Sequence, residues 1–229
     1  MISLLLSSFA WLDLVALTLL ILSWLVCGWL IEHPPKARTS VTVLMRDYRR
    51  EWMTEMVTRQ PRIFDATILS SLRQGTTFMT SASIIAVGGV LALAGNAERL
   101  DSIVMGVGAE GQPAAFWQAK LAVVALLLTY AVFKFIWSNR LFGYCAVVMA
   151  ATPNDKADPR ALPRAAQAAE INIRAALNFN RGLRSIYFAF AALAWVLGPW
   201  GLLIGTALTA RAVLSREFAS TSRSVLLDD

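Results

Sequence analysis

The chain has 229 residues, of which 57% are hydrophobic and only 16% are charged, and its formal net charge is +6. A soluble domain usually carries about 25% charged residues. The composition therefore excludes an ordinary soluble protein and predicts a single membrane domain covering residues 1–229. Because Lys and Arg near membrane spans set orientation, the positive charge does not indicate nucleic-acid binding, and we expect no nucleic-acid partner.

The first predicted span covers residues 11–31 and contains one charged residue, Asp13. The stretch before it has no basic region, so we interpret the span as uncleaved rather than as a signal peptide. Asp13 lies close to the predicted membrane boundary. The favoured interpretation is a carboxylate at the interface in contact with headgroup water, and the alternative is a buried partner for a cation on another span.

Residues 32–60 are too polar to span, and Pro34 and Pro35 break the chain after the first span. Apolar residues recur at three- and four-residue spacing from Val41 to Met56, with arginines mostly off that stripe. This pattern predicts an amphipathic helix. Two interpretations remain: the helix lies in the membrane interface, or it packs against neighbouring cytosolic helices.

The second long helix is predicted to begin near Pro61 and to continue through residues 62–95. No formal charge occurs in residues 75–97, a run long enough to cross a bilayer core of about 30 Å. The polar first half is predicted to stand in water as part of a cytoplasmic segment, residues 40–74. The membrane half is rich in Gly, Ala and Ser, which predicts close helix packing within or between subunits.

The third predicted span covers residues 116–137, and Lys134 and Arg140 mark the point where the helix leaves the hydrocarbon. The apolar stretch 141–151 continues beyond them and needs protein cover. A proline-containing polar loop and an Ala-rich helical stretch follow, so residues 138–184 form the second predicted cytoplasmic segment. Gly182 is a candidate for a kink or a break in that helix.

The fourth predicted span covers residues 185–209. Pro199 can bend it, and Gly201 and Gly205 have the spacing typical of close helix packing. Together these elements predict an all-α fold: an integral membrane four-helix bundle with long helices that extend into a cytoplasmic helical layer.

The distribution of basic residues predicts the orientation. Eight Lys and Arg residues lie between the first two spans and six precede the fourth span within residues 156–184, whereas the loop between the second and third spans has one, Arg99. The basic side is expected to be cytoplasmic. We therefore predict a multi-pass protein of the bacterial inner membrane with both termini periplasmic. Arg211, Arg216 and Arg223 argue mildly against an external C-terminus.

Polar residues from three helices are predicted to lie at a similar depth on the cytoplasmic side. The candidate ligand or pore residues are Asp65, Arg73, Gln74, Lys134, Ser138, Arg140, Asn180, Arg181 and Arg184. In the structural interpretation, Asp65 neutralises one of these cations and polar side chains tie helix ends together. In the functional interpretation, the cations form rings around the axis of a symmetric oligomer. Metabolite binding by the same cluster fits equally well.

Residues typical of catalysis, metal binding or haem binding are sparse. The chain has one histidine, His33, and two cysteines, Cys27 and Cys145, which lie in apolar runs without ligand spacing. The sequence motifs of hydrolases, zinc proteases and P-loop proteins are missing. We therefore expect no metal, no cofactor and no enzymatic activity.

Four stretches resemble one bacterial membrane family: RIFDATI from Arg62, RQGTTF from Arg73, KFIWSNRLFGY from Lys134, and NFNRGLRSIYFAFAALAWVLGP from Asn178. It is the domain-of-unknown-function family numbered 599, which also has plant relatives. The resemblance extends from the first span to Pro199. It implies a multi-pass membrane protein and transfers no catalytic role to any residue.

Two functional hypotheses follow. The first is a homo-oligomeric pore or small-solute/anion transporter in the lipid bilayer, with the polar cluster at its entrance. The alternative is an accessory or assembly subunit of a larger membrane complex, favoured by the small-residue helix faces and the missing motifs. A membrane enzyme ranks third.

Overall fold

The computed structural model describes residues 11–35, 37–98, 101 and 112–227. Helices account for the regular structure in these ranges, and no strand occurs there, so the fold is all-α as predicted. The sequence predictions for the N-terminal stretch before residue 11, for Lys36 and for Arg99 lie outside the described residues.

Three helices are long and apolar enough to cross a membrane. They cover the first three predicted spans except residues 96 and 97, which follow the end of the second of these helices at Gly95. In chain order the helices are α1 Trp11–Glu32, α2 Val41–Met56, α3 Ile63–Gly95, α4 Ala114–Ala150, α5 Ala161–Leu193, a 3₁₀ turn Ala194–Leu197, α6 Pro199–Phe218 and α7 Thr221–Val225. The spanning candidates are α1, α3 and α4, which indicates that the protein associates with a membrane.

The chain divides into two compact units. The first comprises the chain up to Trp29, Ala82–Ala131 and Leu183–Leu214, and the second comprises Leu30–Ser81, Val132–Gly182 and the chain from Ser215 onward. The core of the first unit is formed by α1, α4, α5 and α6. Its buried members are Ala16, Leu20, Cys27, Val124, Leu127, Leu128, Phe188, Ala189, Ala191, Ala192, Trp195 and Leu202.

The predicted fourth span, residues 185–209, is not one helix, and this part of the prediction is corrected. The α-helix ends at Leu193, and the 3₁₀ turn leads to Gly198, whose φ of 91° is a conformation that favours glycine. Pro199 then starts α6 at the first helical position, where its missing N–H costs no hydrogen bond.

The start of α6 packs closely on the end of α5. A Cβ on Gly201 would lie 2.4 Å from the carbonyl oxygen of Ala194, and one on Gly205 would lie 3.2 Å from that of Ala191. The predicted close packing at both glycines is therefore confirmed, although its partner is the preceding helix of the same chain. The two helices form a hairpin within the first unit.

Two charged side chains are buried beside this hairpin. Asp13 is 4% exposed, and its Oδ1 accepts a 2.6 Å hydrogen bond from Nε1 of Trp195. Lys120 is 3% exposed, and its Nζ donates a 3.0 Å hydrogen bond to the carbonyl oxygen of Trp195. The favoured interpretation of Asp13 as a water-exposed interface carboxylate is therefore wrong: the carboxylate is buried and hydrogen-bonded to an indole. Its electrostatic interaction with Lys120 of α4 supports the alternative, a buried partner for a cation on another span.

The core of the second unit joins α2, α3, α4 and α5. Its buried members include Leu141, Phe142, Cys145 and Met149, so the prediction that the apolar stretch 141–151 is covered by protein is confirmed. The last turn of α2 belongs to the same core, because Met56 is fully buried there. For this part of α2 the structure supports the packed-helix interpretation.

Gly182 lies inside the continuous helix α5, so it neither breaks nor ends that helix. The position favours glycine because the Phe135 ring occupies the space beside it. A Cβ on Gly182 would lie 2.7 Å from Cε1 of that ring. The expected break is therefore not found, and Gly182 instead allows α5 to contact α4 closely at Phe135, within the second unit.

The C-terminal part of the chain binds the start of α2 inside the second unit. Oε2 of Glu217 accepts a 2.9 Å hydrogen bond from the backbone N–H of Thr42, and Oε1 accepts one of 2.8 Å from the Thr42 hydroxyl. The predicted topology separates these residues, with Thr42 cytoplasmic and the C-terminus periplasmic. The contact contradicts that separation.

The membrane half of α3 exposes most of its surface within the described chain, since only 6% of its most apolar window is buried. At Gly88 and Gly89 a Cβ would meet nothing within 4 Å apart from the helix itself. Contact with another helix of the same chain therefore does not explain these two small residues.

Candidate functional site

Asp65 is the anchor of the polar first half of α3. The side chain is fully buried, and its Oδ1 accepts a 2.7 Å hydrogen bond from Nε1 of Trp52 and an ion-paired hydrogen bond from Nη1 of Arg59. The cation that neutralises Asp65 is thus Arg59, and none of the cations proposed from the sequence. The pair joins α3 to the end of α2 and the turn that follows it.

An open cleft of about 630 Å³ lies beside this anchor, within the second unit. It has the volume of a typical small-molecule site. Its apolar wall includes Met56, Leu69 and Met149. Its polar lining is Arg62, Asp65, Ser70, Arg73, Gln74 and Thr77. The structure therefore brings Asp65, Arg73 and Gln74 to one cleft. A shared face was expected for Asp65 and Arg73, which are eight residues apart on the helix.

Arg73 and Gln74 are exposed, as are Ser70 and Thr77 of the same lining. Nε of Arg73 donates a long hydrogen bond of 3.4 Å to Oδ1 of Asn139. No carboxylate pairs with Arg73 among the ion pairs of the described chain. The guanidinium is consequently available to a ligand that carries a hydrogen-bond acceptor.

Arg62 also lines the cleft, but its hydrogen bonds are directed at the backbone. Nη1 donates to the carbonyl oxygens of Met149 and Thr152 at 3.1 and 2.7 Å, and Nη2 donates to those of Pro153 and Val57 at 2.9 and 3.2 Å. Carbonyls at the end of a helix lack partners within it. Arg62 therefore caps the end of α4 and closes one wall of the cleft.

Two predicted residues of α4 form contacts within the chain outside the cleft lining. The hydroxyl of Ser138 is buried and donates a 2.8 Å hydrogen bond to the carbonyl oxygen of Ala175. Nε of Arg140 donates a 2.6 Å hydrogen bond to the hydroxyl of Tyr144, one helical turn away. The first contact joins α4 to α5, and the second stays within α4. Neither residue lines the cleft.

Arg181 and Asn180 form a second polar contact group in the same unit. Nε of Arg181 donates a 2.9 Å hydrogen bond to Oε1 of Glu32, and its Nη2 binds the other carboxylate oxygen. Lys134 is half-buried near this pair. Nδ2 of Asn180 lies 3.5 Å from the Thr42 hydroxyl, which accepts its hydrogen bond.

Arg184 belongs to the first unit, where it is 6% exposed. Its Nε would lie 3.8 Å from a Cβ placed on Gly28. Three of the nine candidate residues, Asp65, Arg73 and Gln74, line the cleft, and the other six are not among its lining residues. That all nine lie at a similar depth stays a prediction.

Sequence reasoning missed Arg59, Trp52 and Arg62. Arg59 precedes Asp65 by six residues, a spacing that does not align two side chains on one helix face. Only the turn around Pro61 brings them together. Trp52 did carry a signal, because it lies on the apolar stripe of α2 and a buried indole N–H needs an acceptor.

Among the residues that the structure describes, no group of three or more His, Cys, Asp or Glu side chains is arranged to hold a metal ion. Cys27 and Cys145 are both buried and free. No curated protein and no solved structure matches the chain significantly. One family model does match, over residues 15–222, which is most of the chain. The chain therefore belongs to the family described as "Protein of unknown function, DUF599".

Proposed function

We propose that this is a multi-pass protein of the bacterial inner membrane that acts as a homo-oligomeric transporter of small amphipathic anions. The observation that carries the proposal is the cleft of about 630 Å³ that Arg73 and Gln74 line together with the apolar side chains of Met56, Leu69 and Met149. An organic anion matches both parts, since a carboxylate accepts from the guanidinium while its hydrocarbon part covers Leu69 and Met149.

Asp65 supports the site without serving as its main ligand. Its Oδ1 is occupied by Trp52 and Arg59, and these bonds hold the start of α3 against α2. The remaining carboxylate oxygen, Oδ2, is buried and has no hydrogen-bond partner. Because Arg59 neutralises Asp65, the group in the cleft that attracts an anion is Arg73.

Solute binding in a cleft fits the contacts better than rings of free cations in an open pore. Arg181 is paired with Glu32 and Arg140 is bound to Tyr144, so these two charges have partners within the chain. Arg73 lines a cleft with a defined apolar wall. The pore version of the hypothesis is therefore the weaker one.

The proposed topology differs from the four-span prediction. The chain enters the first unit at Leu183, turns at Gly198 and leaves the unit after Leu214. The hairpin thus returns the chain to the side from which it came. With the basic segments in the cytoplasm, the N-terminus is periplasmic and the C-terminus is cytoplasmic, which also satisfies the positive-inside rule for Arg211, Arg216 and Arg223.

Oligomerisation is supported by the exposed face of α3. Phe78 and Ile85 are 70% and 75% exposed, and the glycines at positions 88 and 89 face open space. Small residues let helices from two subunits approach closely in lipid. A second copy of α3 is the partner that the proposal assigns to this face.

Transport is tested with purified protein in liposomes, using labelled benzoate and octanoate as probes. We expect uptake by the unaltered protein, and a loss of about tenfold or more in probe affinity for Arg73→Ala, because a charge-assisted hydrogen bond is removed. Arg140→Ala is the matched control, since Arg140 is an exposed arginine that does not line the cleft. The proposal fails if neither probe binds, or if the two variants lose affinity equally.

The second candidate is an accessory or assembly subunit of a larger membrane complex. The exposed α3 face favours it as well, because a different protein can cover that face. Purification in a mild detergent after cross-linking separates the two candidates. A second polypeptide at fixed stoichiometry supports the accessory role, and a homo-oligomer that transports a probe by itself excludes it.

A further inference from the structure

A second cavity, distinct from the cleft, lies in the second unit between α2, α5 and the end of α6. Its volume is about 300 Å³. The polar residues that line it are Thr42, Arg46, Arg49, Asn180 and Glu217. Two of them are arginines three positions apart on α2, a spacing that places both on one helix face.

Arg46 has no carboxylate partner among the described residues. Its one hydrogen bond runs from Nη2 to the backbone carbonyl oxygen of Glu32, at 3.3 Å. Its Nε is buried and has no hydrogen-bond acceptor. A buried donor without an acceptor costs free energy, and more so when it is charged.

Arg49 is in a similar position. Its Nη1 donates to the amide oxygen of Asn172, a neutral group, and no ion pair forms at this residue within the described chain. Burial lowers the pKa of the guanidinium below its ordinary value. A lowered pKa means that the surroundings stabilise the charged guanidinium less than water does.

Glu217 is the one carboxylate in the cavity lining, and its oxygens are already engaged. They accept hydrogen bonds from the backbone N–H and the hydroxyl of Thr42, at the N-terminus of α2. Unpaired N–H groups at a helix start attract negative charge. The nearby Glu32 is paired with Arg181, and Glu170 with Arg50. Arg46 and Arg49 therefore share the cavity with one carboxylate, and both oxygens of that carboxylate already accept hydrogen bonds from Thr42.

We propose that this cavity binds a phosphate group, held by Arg46 and Arg49. A tetrahedral oxyanion presents several acceptors at once, and guanidinium forks match that geometry. The second N–H of the Asn180 amide supplies a further neutral donor. The phosphate group is carried by free phosphate or by a phospholipid headgroup. The site is independent of the cleft and of transport.

The first test follows the thermal unfolding of the full-length protein in a neutral detergent during titration with inorganic phosphate at constant ionic strength. We expect saturable stabilisation, with an apparent affinity about tenfold or more lower in Arg49→Gln. Arg50→Gln is the matched control, because Arg50 is an exposed arginine on the same helix that does not line the cavity. Equal responses in the two variants, or an equal response to chloride, overturn the assignment to free phosphate.

The second test introduces an internal counterion in case Arg49→Gln fails to fold. Asn180→Asp has almost the same shape and adds a carboxylate to the cavity without removing an arginine. We expect a higher unfolding temperature without phosphate and no further rise when phosphate is added. An unchanged phosphate response in Asn180→Asp contradicts the proposal.

The third test distinguishes the two sources of the phosphate group. Native mass spectrometry of protein extracted from membranes is expected to show a retained phospholipid, lost in Arg49→Gln and kept in Arg50→Gln, if the headgroup is the ligand. Saturable binding of inorganic phosphate without a retained lipid assigns the site to free phosphate. If neither is found, the cavity does not bind a phosphate group.

Discussion

Oδ1 of Asp13 accepts a 2.6 Å hydrogen bond from Nε1 of Trp195, joining residues 182 positions apart in the buried core of the first unit. The contact binds the start of α1 to the turn between α5 and α6. The carboxylate also interacts electrostatically with the buried Lys120, so removing Asp13 leaves a cation without its counterion, whereas removing Trp195 costs one hydrogen bond.

We expect Asp13→Leu to destabilise the protein more than Trp195→Phe. The first leaves the buried Lys120 without the carboxylate beside it, at a cost of about 3–5 kcal/mol, and the second removes one hydrogen bond while Lys120 remains near the carboxylate, at about 1–3 kcal/mol. The loss in the double variant should be smaller than the sum of the two single losses. Unfolding in detergent micelles measures all three, with the exposed Asp47→Ala as control. Additive losses would show that the two side chains are not coupled.

Replacing Gly182 by Ala should destabilise the second unit by about 1–3 kcal/mol, because the methyl group would overlap the Phe135 ring. Phe135→Leu should recover part of that loss when it is combined with Gly182→Ala. The control is Gly75→Ala, where the added Cβ meets open space. That change should be neutral or stabilising, since alanine favours helix. If Gly182→Ala and Gly75→Ala behave alike, the close contact is not present.

The C-terminus should lie on the same side of the membrane as α2. We expect single cysteines at Ser222 and Asp47 to react with a membrane-impermeant thiol reagent from the same side, in inverted vesicles. The native residues Cys27 and Cys145 are buried, so their background labelling should be low. Labelling of Ser222→Cys in right-side-out vesicles alone would restore a periplasmic C-terminus and contradict the hairpin topology.

Asp65 and Arg73 should differ in their effect on stability. Asp65→Ala leaves Trp52 and Arg59 without their acceptor, and because Arg59 is partly exposed we expect a loss of about 1–3 kcal/mol. Arg73→Ala should change the free energy of unfolding by less than about 0.5 kcal/mol, since the side chain is exposed. Equal destabilisation by both variants would mean that Arg73 has a structural role.

Arg62→Ala should weaken the end of α4, because several carbonyl oxygens lose their donor. We expect a loss of about 1–3 kcal/mol or more, and only partial recovery with Arg62→Lys, whose ammonium cannot reach all the acceptors. Arg160→Ala is the control, since Arg160 forms a surface pair of small energetic value with Asp158. Hydrogen exchange in the residues after Met149 should increase in Arg62→Ala alone.

Much of the fold was accessible from the sequence for one physical reason. Long uncharged runs in α1, α3 and α4 must bury their surface in lipid or protein, and hydropathy records this directly. The same reasoning required a cover for the apolar stretch after Arg140, and the structure supplies it around Phe142 and Met149. The shared helix face of Asp65 and Arg73 also followed from their spacing of eight residues.

Other features depend on contacts between residues far apart in the chain. A run such as 185–209 reads as one span because hydropathy counts apolar residues and does not register a change of direction. Gly198 reverses the chain there through a backbone conformation that composition does not reveal. For the same reason the pairing of Glu217 with Thr42 was not predictable.

The sequence by itself determined that the chain is helical and apolar enough for a membrane, because these are properties of local runs of residues. Only the tertiary structure decided which polar residues share a site. Partner choice among buried charges depends on distance and desolvation, so Arg59 rather than a more distant cation neutralises Asp65. Tertiary packing also places Arg46 and Arg49 in the lining of a cavity, without carboxylate partners among the described residues. No sequence pattern predicts this arrangement.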